Sequence, residues 1–280
     1  MNALEVTGLG VRYRRGWALR DCSLAVPAGR VAALVGPNGA GKTTLMHAAV
    51  GLLAPAKGSV TVRGQAAFVA QDKPLYETFT VAEMLRFGRR MNDRWDEEAA
   101  RKRLGGLGVP LDRKAGRLSG GQQAQVALTV ALARMPDLLV LDEPLANLDP
   151  VARHDVMRAI MAEVAEHGLT VLLSSHVVSD LADTCDWLIV LNGGRLQVSG
   201  DIEELLDAHH VLTGPAGGPV AGCRVVTASR AGRQASLLVR GGPPPDPRWS
   251  ARRPGLDELV MGYLRSPESA ALPGPVEVAG

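Results

Sequence analysis

The stretch that decides the fold is "VAALVGPNGAGKTTLMHAAVGLL", residues 31–53. It opens with a continuous apolar run, the pattern of a strand buried on both faces. The run breaks into a glycine-rich loop, and beyond the loop Leu45, Ala48, Ala49 and Leu52 recur at helical spacing. Strand, glycine loop and helix in this order predict an α/β fold. The loop also fits G-x-x-x-x-G-K-[ST] through Gly36, Gly41, Lys42 and Thr43, with Asn38, Gly39 and Thr44 in the same turn. Glycines there permit a tight turn and let backbone N–H groups approach a phosphate closely. The helix N-terminus adds its dipole, Lys42 can reach β/γ oxygens, and the Thr43 hydroxyl suits Mg²⁺.

Outward from this stretch, segments 5–13 and 17–27 read as strands joined by a turn at 14–16, and 58–70 as strand with a turn at Gly64. The middle of the chain, 72–135, reads as helical. Thr80 and Glu83 form a capping-box pattern that opens one helix. In "RWDEEAARKRL" (94–104), Glu97 precedes Arg101 by four and Glu98 precedes Lys102 by four. That is a solvated face of exposed ion pairs, with no chemistry assigned to it. After 137 the alternation resumes: strand at 138–142, helix at 151–167 ended by Gly168, strands at 170–175 and 187–191, and a turn at 193–194. The expected architecture is α/β with a mostly parallel sheet, an N-terminal antiparallel β subdomain and an inserted helical subdomain.

Residues 1–210 are expected to form this main domain. From 211 onward, eleven glycines and ten prolines shift the composition. There "CRVVTASR" and "QASLLVR" suit a hairpin and "LDELVMGYL" a short helix. The reading is a small accessory unit over 211–265 and a flexible tail over 266–280.

Composition narrows the function classes. The formal net charge of +2 argues against an electrostatically driven nucleic-acid binder. Three cysteines without CxxC or CxxH spacing speak against zinc and against a disulfide framework. No signal-peptide pattern opens the chain, and no run approaches the roughly 18 apolar residues of a membrane span. A membrane role is expected only through a partner.

Two further strand ends carry chemistry. "LLVLDEP" (138–144) puts Asp142 at the C-terminal end of a buried strand, where α/β sheets bind ligands and where a carboxylate can hold Mg²⁺ through water. Glu143 beside it is suited to orient or deprotonate an attacking water. "LLSSH" (172–176) ends a third strand with His176, positioned for a hydrogen bond to a γ-phosphate. In "LSGGQQAQ" (118–125), Ser119 and Gln122 form a second capping box, while Gly120 and Gly121 leave the first helical N–H groups sterically open to an anion. A second open helix N-terminus suggests a second clamp on the same nucleotide.

The phosphate loop, Gln71 after a strand, LSGGQ, LDEP, "NLD" and a strand-end histidine, in this order, resemble the nucleotide-binding subunit of an ABC transporter over about residues 1–210. The resemblance implies a P-loop NTPase core and an ATPase with ATP and Mg²⁺ as ligands. It implies a head-to-tail dimer, homo- or heteromeric, in which Ser119, Gly120, Gly121 and Gln122 face the ATP of the other subunit. It also implies a separate transmembrane permease and a place on the cytoplasmic face of the cell membrane. By position, Tyr13 corresponds to the aromatic that stacks on adenine, with Trp17 as its rival. Gln71 corresponds to the Mg²⁺-sensing glutamine and Asp149 to the aspartate reaching across the dimer. Asp149 before Pro150 is equally an N-cap. The chain departs from the family in the neutral "QAQ" (123–125) and in a short 58–71 segment. The compact core and appended C-terminal unit suggest an exporter. The alternatives are a soluble ATPase of this family working on nucleic acid or ribosomes, and a non-hydrolysing regulatory subunit, against which Glu143 stands.

Overall fold

The computed structural model describes residues 1–14, 16–73, 75–175, 178, 181, 184–216, 223–242 and 246–266. Strands β1 (Asn2–Tyr13) and β2 (Gly16–Pro27) open the chain as an antiparallel pair. β3 (Val31–Val35) and α1 (Lys42–Ala49) follow, then β4 (Lys57–Val62) and β5 (Ala66–Val69). The 58–70 segment therefore feeds two sheets. β4 returns to pair with β1, giving the antiparallel order β2-β1-β4, while β5 enters the core sheet beyond Gly64.

Helices α2 (Val81–Met91), α3 (Glu97–Gly106) and α4 (Gly120–Leu132) make the inserted helical unit. Each starts on a side-chain cap. Thr80 with Glu83 and Ser119 with Gln122 close the two capping boxes expected from their spacing, and Asp96 accepts from the Ala99 amide at 2.8 Å. Val81, Leu85, Leu104 and Val126 form the centre of this unit's own core. On α3, Arg101 donates to Glu97 at 2.6 Å, whereas among the described residues Glu98 and Lys102 do not pair. Glu97 is also fixed by the Trp95 indole at 2.9 Å. Glu98 and Lys102 lack such an anchor, and exposed ion pairs barely offset the entropy of holding two long side chains.

β6 (Leu138–Leu141), α5 (Pro150–His167), β7 (Thr170–Ser175), β8 (Trp187–Asn192) and β9 (Arg195–Asp201) complete the main domain. The core sheet has the order β5-β6-β7-β3-β8-β9, parallel except for β9. Alternation explains why β3 is apolar at every position. Val31, Ala33 and Val35 pack on one side with residues of α4 and α5. Ala32 and Leu34 pack on the other with α1 and the N-terminal sheet.

The chain then adds α6 (Ile202–Asp207), β10 (His209–Pro215), β11 (Arg224–Ala231), β12 (Gln234–Arg240), β13 (Ser250–Arg252) and α7 (Leu256–Arg265). β11 and β12 form the expected hairpin, and the second sheet has the order β11-β12-β10-β13. Its first strand in the chain starts at His209, before the composition shifts, and buries Val211 on one face and Leu212 on the other. Leu259, Val260 and Tyr263 of α7 pack into the same buried cluster as β3 and β8. The tail expected over 266–280 falls, but for Ser266, outside the described residues. Among the described residues no helix is long and apolar enough to cross a membrane.

His209 locks this junction. It is fully buried, with Nδ1 2.6 Å from the Leu205 carbonyl oxygen and Nε2 2.8 Å from the Tyr263 hydroxyl. The neutral ring satisfies both contacts, Nδ1–H donating to the carbonyl and Nε2 accepting from the hydroxyl. Burial holds its pKa below the ordinary 6.5, and Arg240 and His210 push the same way against the Leu205 hydrogen bond. The unfolded chain therefore takes up this proton first as pH falls. The stability due to His209 is complete above about pH 6.5 and declines below it until the folded pKa is passed. Thermal unfolding measured at pH 7.5 and 5.5 should lose more stability in the wild type than in His209→Gln. An equal loss in both would remove His209 from the pH response.

Candidate functional site

The loop between β3 and α1 is shaped by backbone that leaves no room for side chains. A Cβ on Gly36 would lie 2.3 Å from the Leu191 carbonyl oxygen. Gly41 has φ 104°, and a Cβ there would meet Leu19 Cδ2 at 2.6 Å and the Ala18 carbonyl oxygen at 2.9 Å. Gly41 is also the N-cap of α1 and offers no side chain to its first turn. Among the described residues the amides of Gly41, Lys42, Thr43 and Thr44 have no backbone acceptor, so four donors and the positive helix end converge on the loop.

Lys42 is 7% exposed, and its Nζ donates to the Gly36 carbonyl at 2.7 Å and the Pro37 carbonyl at 3.5 Å. Its Nζ also lies 3.8 Å from Glu143 Oε1. The Thr43 hydroxyl donates to Asp142 Oδ2 at 2.7 Å, and the Ser174 hydroxyl donates to Asp142 Oδ1 at the same distance. Ser174 in turn accepts from the Glu143 amide at 2.8 Å. That bond helps hold Glu143 in the left-handed region, φ 48°, a costly conformation for a residue other than glycine.

Lys42, Thr43, Asp142 and Glu143 line a cavity of about 330 Å³ with Ala18, Pro37, Asn38, Gly39, Ala40, Gly41, Thr44 and Gln71. The phosphate loop, Gln71, Asp142 and Glu143 are thus brought together. Ser119, Gly120, Gly121 and Gln122 are not among the lining residues. Ser119 and Gly120 are exposed, and a Cβ on Gly120 would meet nothing within 4 Å. The Gln122 amide donates to Ser119 Oγ at 3.2 Å and the Ser119 amide to Gln122 Oε1 at 3.1 Å. The amides of Gly120 and Gly121 have no backbone acceptor among the described residues.

Asp149 is the N-cap of α5, accepting from the Val151 and Ala152 amides at 3.0 Å each. Tyr13 is 49% exposed and stands outside the cavity. Its rival Trp17 is engaged, with the Arg12 and Lys57 cations 6.0 and 5.8 Å from its ring. His176 lies outside the described residues. Sequence reasoning missed Ser174, although a hydroxyl inside a buried strand always needs partners. It missed Ala18 too, whose contribution is only the carbonyl that abuts Gly41.

Comparison with known proteins agrees with this geometry. The family described as ABC transporter matches residues 19–146. The Bacillus subtilis (strain 168) protein named Uncharacterized ABC transporter ATP-binding protein YxlF is 31% identical over 215 residues, covering 72% of each chain. The chain belongs to the ABC transporter ATP-binding family. It is an ATP-binding subunit whose family hydrolyses ATP to power transport. The Fe(3+) ions import ATP-binding protein FbpC of Yersinia pestis bv. Antiqua (strain Antiqua) is 34% identical over 73% of this chain, which spans 64% of that protein's length. A solved ATP-binding subunit of an ABC transporter superposes with a TM-score of 0.67 at 28% identity, over 73% of this chain and 92% of its own.

The Ser174 bridge gives a direct test. Ser174→Ala strips an acceptor from the Glu143 amide and a donor from Asp142, both buried. It should lower stability by about 1–3 kcal/mol and lower ATP turnover about tenfold or more, with ATP affinity nearly unchanged. Wild-type turnover in a folded Ser174→Ala protein would show that the bridge does not position Glu143.

Proposed function

We propose that this chain is one half of a two-chain ATP switch that drives a separate membrane permease. The observation that carries the reading is the separation within one chain of two open helix N-termini. The α1 terminus belongs to the cavity with Lys42, Asp142 and Glu143, whereas the α4 terminus is exposed and lines no part of it. An exposed, glycine-lined anion site suits a phosphate held by a second copy or a related chain.

In this reading the loop amides and Lys42 hold the β- and γ-phosphates, and the open face of Tyr13 stacks on adenine. Thr43 and Asp142 form an all-oxygen pair of the kind Mg²⁺ prefers, with Gln71 beside them, and bound Mg²⁺ would neutralise charge on the phosphate oxygens. Glu143, buried and close to Lys42, takes the proton of the attacking water, and His176 hydrogen-bonds the γ-phosphate. Ser119, the amides of Gly120 and Gly121, and Gln122 close over the ATP of the partner chain, and Asp149 reaches across the same interface while capping α5. ATP can drive closure only by as much as it binds the closed pair better than the open one.

The motion passes to the permease through the helical unit. Tyr76 and Phe87 are 55% and 40% exposed and form an aromatic cluster with Phe79, at centroid distances of 5.0 to 6.3 Å. Tyr76 and Phe79 lie in the segment between Gln71 and α2, Phe87 lies on α2, and an exposed aromatic patch suits a protein partner. The protein would then sit at the cytoplasmic face of the membrane through that partner. The small core and appended C-terminal sheet favour export, whereas the import named for the Yersinia relative favours the opposite direction.

Tagged Glu143→Gln protein, incubated with ATP and detergent-solubilised host membranes, tests the reading. Turnover should fall by about two orders of magnitude or more, the scale of general-base loss, and a polytopic membrane protein should co-purify and be lost on adding Phe87→Asp. Normal turnover would remove Glu143 from the mechanism. Ribosomes, nucleic acid or soluble proteins alone would leave the motor without its membrane partner.

A further inference from the structure

A larger cavity lies at the opposite edge of the core sheet. The nucleotide cavity is built where β6 ends at Asp142, whereas this one, about 740 Å³, is lined by Asp137 before β6 and Thr170 at the start of β7. Its far wall is the helical unit, through α3 and α4, and Arg63 contributes from the end of β4. It therefore spans the seam between all three parts of the main domain. The volume falls in the range of sites for small organic molecules, about 300–1,000 Å³.

Its three arginines and three carboxylates are equal in number but are not paired one to one. Each lining carboxylate is engaged: Asp96 by the Ala99 amide at 2.8 Å, Asp137 by the Gln65 amide at 2.8 Å and Arg94 at 3.3 Å, and Glu163 by His167 at 3.0 Å. Arg103 has no such partner. Its Nε donates to Thr129 Oγ1 and an Nη to Gln125 Oε1, both at 3.0 Å. Both acceptors are neutral and buried, and among the described residues Arg103 forms no ion pair within 4 Å. Burial pulls the Arg103 pKa below its ordinary range, opposed by Glu163 and reinforced by Arg158. A guanidinium stays charged regardless; Arg103 is half-buried and meets the Glu163 charge only beyond ion-pair distance, so its lost hydration is incompletely offset. Arg63, at the rim, is likewise unpaired among the described residues. Between these cations the wall is apolar, through Ala99, Leu132, Met135 and Leu169.

We propose that this cavity binds a small organic anion, a carboxylate or sulfonate with an apolar body, whose charge meets Arg103 and whose body lies against the α3–α4 wall. Such a ligand joins the helical unit to the core sheet at a distance from the nucleotide. It thereby sets how freely the helical unit turns, and with it the rate of ATP turnover. The binding stands without the proposed switch; only the effect on turnover rests on it.

The probe is 8-anilinonaphthalene-1-sulfonate, titrated by fluorescence into the full chain carrying Glu143→Gln with saturating ATP, so that the nucleotide site is already filled. One saturable site is expected. Arg103→Leu should weaken it about tenfold or more, the scale of a lost charge-assisted hydrogen bond. Arg63→Glu, an exposed change that cannot disturb the core, should weaken it by about threefold or more through reversed charge at the rim. Absence of saturable binding, displacement of the probe by ATP, or an affinity unchanged by both variants would overturn the proposal. Probe binding that follows the variants, alongside a wild-type chain that shows no ATPase activity, would uphold the site while refuting the motor reading.

Discussion

The Asp142 carboxylate is the constraint on which the nucleotide site depends. It accepts from Thr43 at the start of α1 and from Ser174 near the end of β7, each at 2.7 Å, and so ties the ends of β6 and β7 to the start of α1. Each bond to a charged group contributes about 1.5–3 kcal/mol net; the one from Ser174 is fully buried, whereas the one from Thr43 is partly open to solvent. The bridge continues through Ser174 to the Glu143 amide. A single carboxylate thus links the residue suited to hold a metal, the residue suited to act on water and the loop suited to hold phosphate. Parallel pairing of β6 with β7 and β7 with β3 makes this possible, because it aligns their C-terminal ends.

The two ends of the sheet are chemically different. At the C-terminal edge the acids are buried among hydroxyls, backbone donors and Lys42. At the N-terminal edge each acid has a hydrogen-bond partner of its own, and Arg103 is held by neutral groups. One sheet therefore carries two sites of different character, with the helical unit forming a wall of the second. The C-terminal sheet, packed through α7 and the contact of His209 with Tyr263, stiffens the same core from the side of β8.

Features that depend on a few consecutive residues were legible in the sequence. Both capping boxes, the Asp149 cap and the Gly168 stop each involve neighbours within four positions, the glycine motif is one short run, and each is present. The apolar run of β3 was legible because burial on both faces leaves no polar position. Features that depend on which strands become neighbours were not. Ser174 looks like any strand hydroxyl until β7 is known to lie between β6 and β3. Arg103 sat in a helix whose charge spacing implied only a solvated face, yet it is two residues beyond Arg101 and projects from a different side of α3. β10 escaped notice because its partner β12 lies beyond a change in composition.

The central claim is that each ATP is held between the phosphate loop of one chain and the α4 N-terminus of another. Light scattering of Glu143→Gln with and without ATP, beside the same protein carrying Ser119→Arg, tests it most directly. The account predicts that ATP doubles the mass of the first and leaves the second monomeric, with equal ATP affinity in both. An ATP-bound dimer of the Ser119→Arg protein would contradict it.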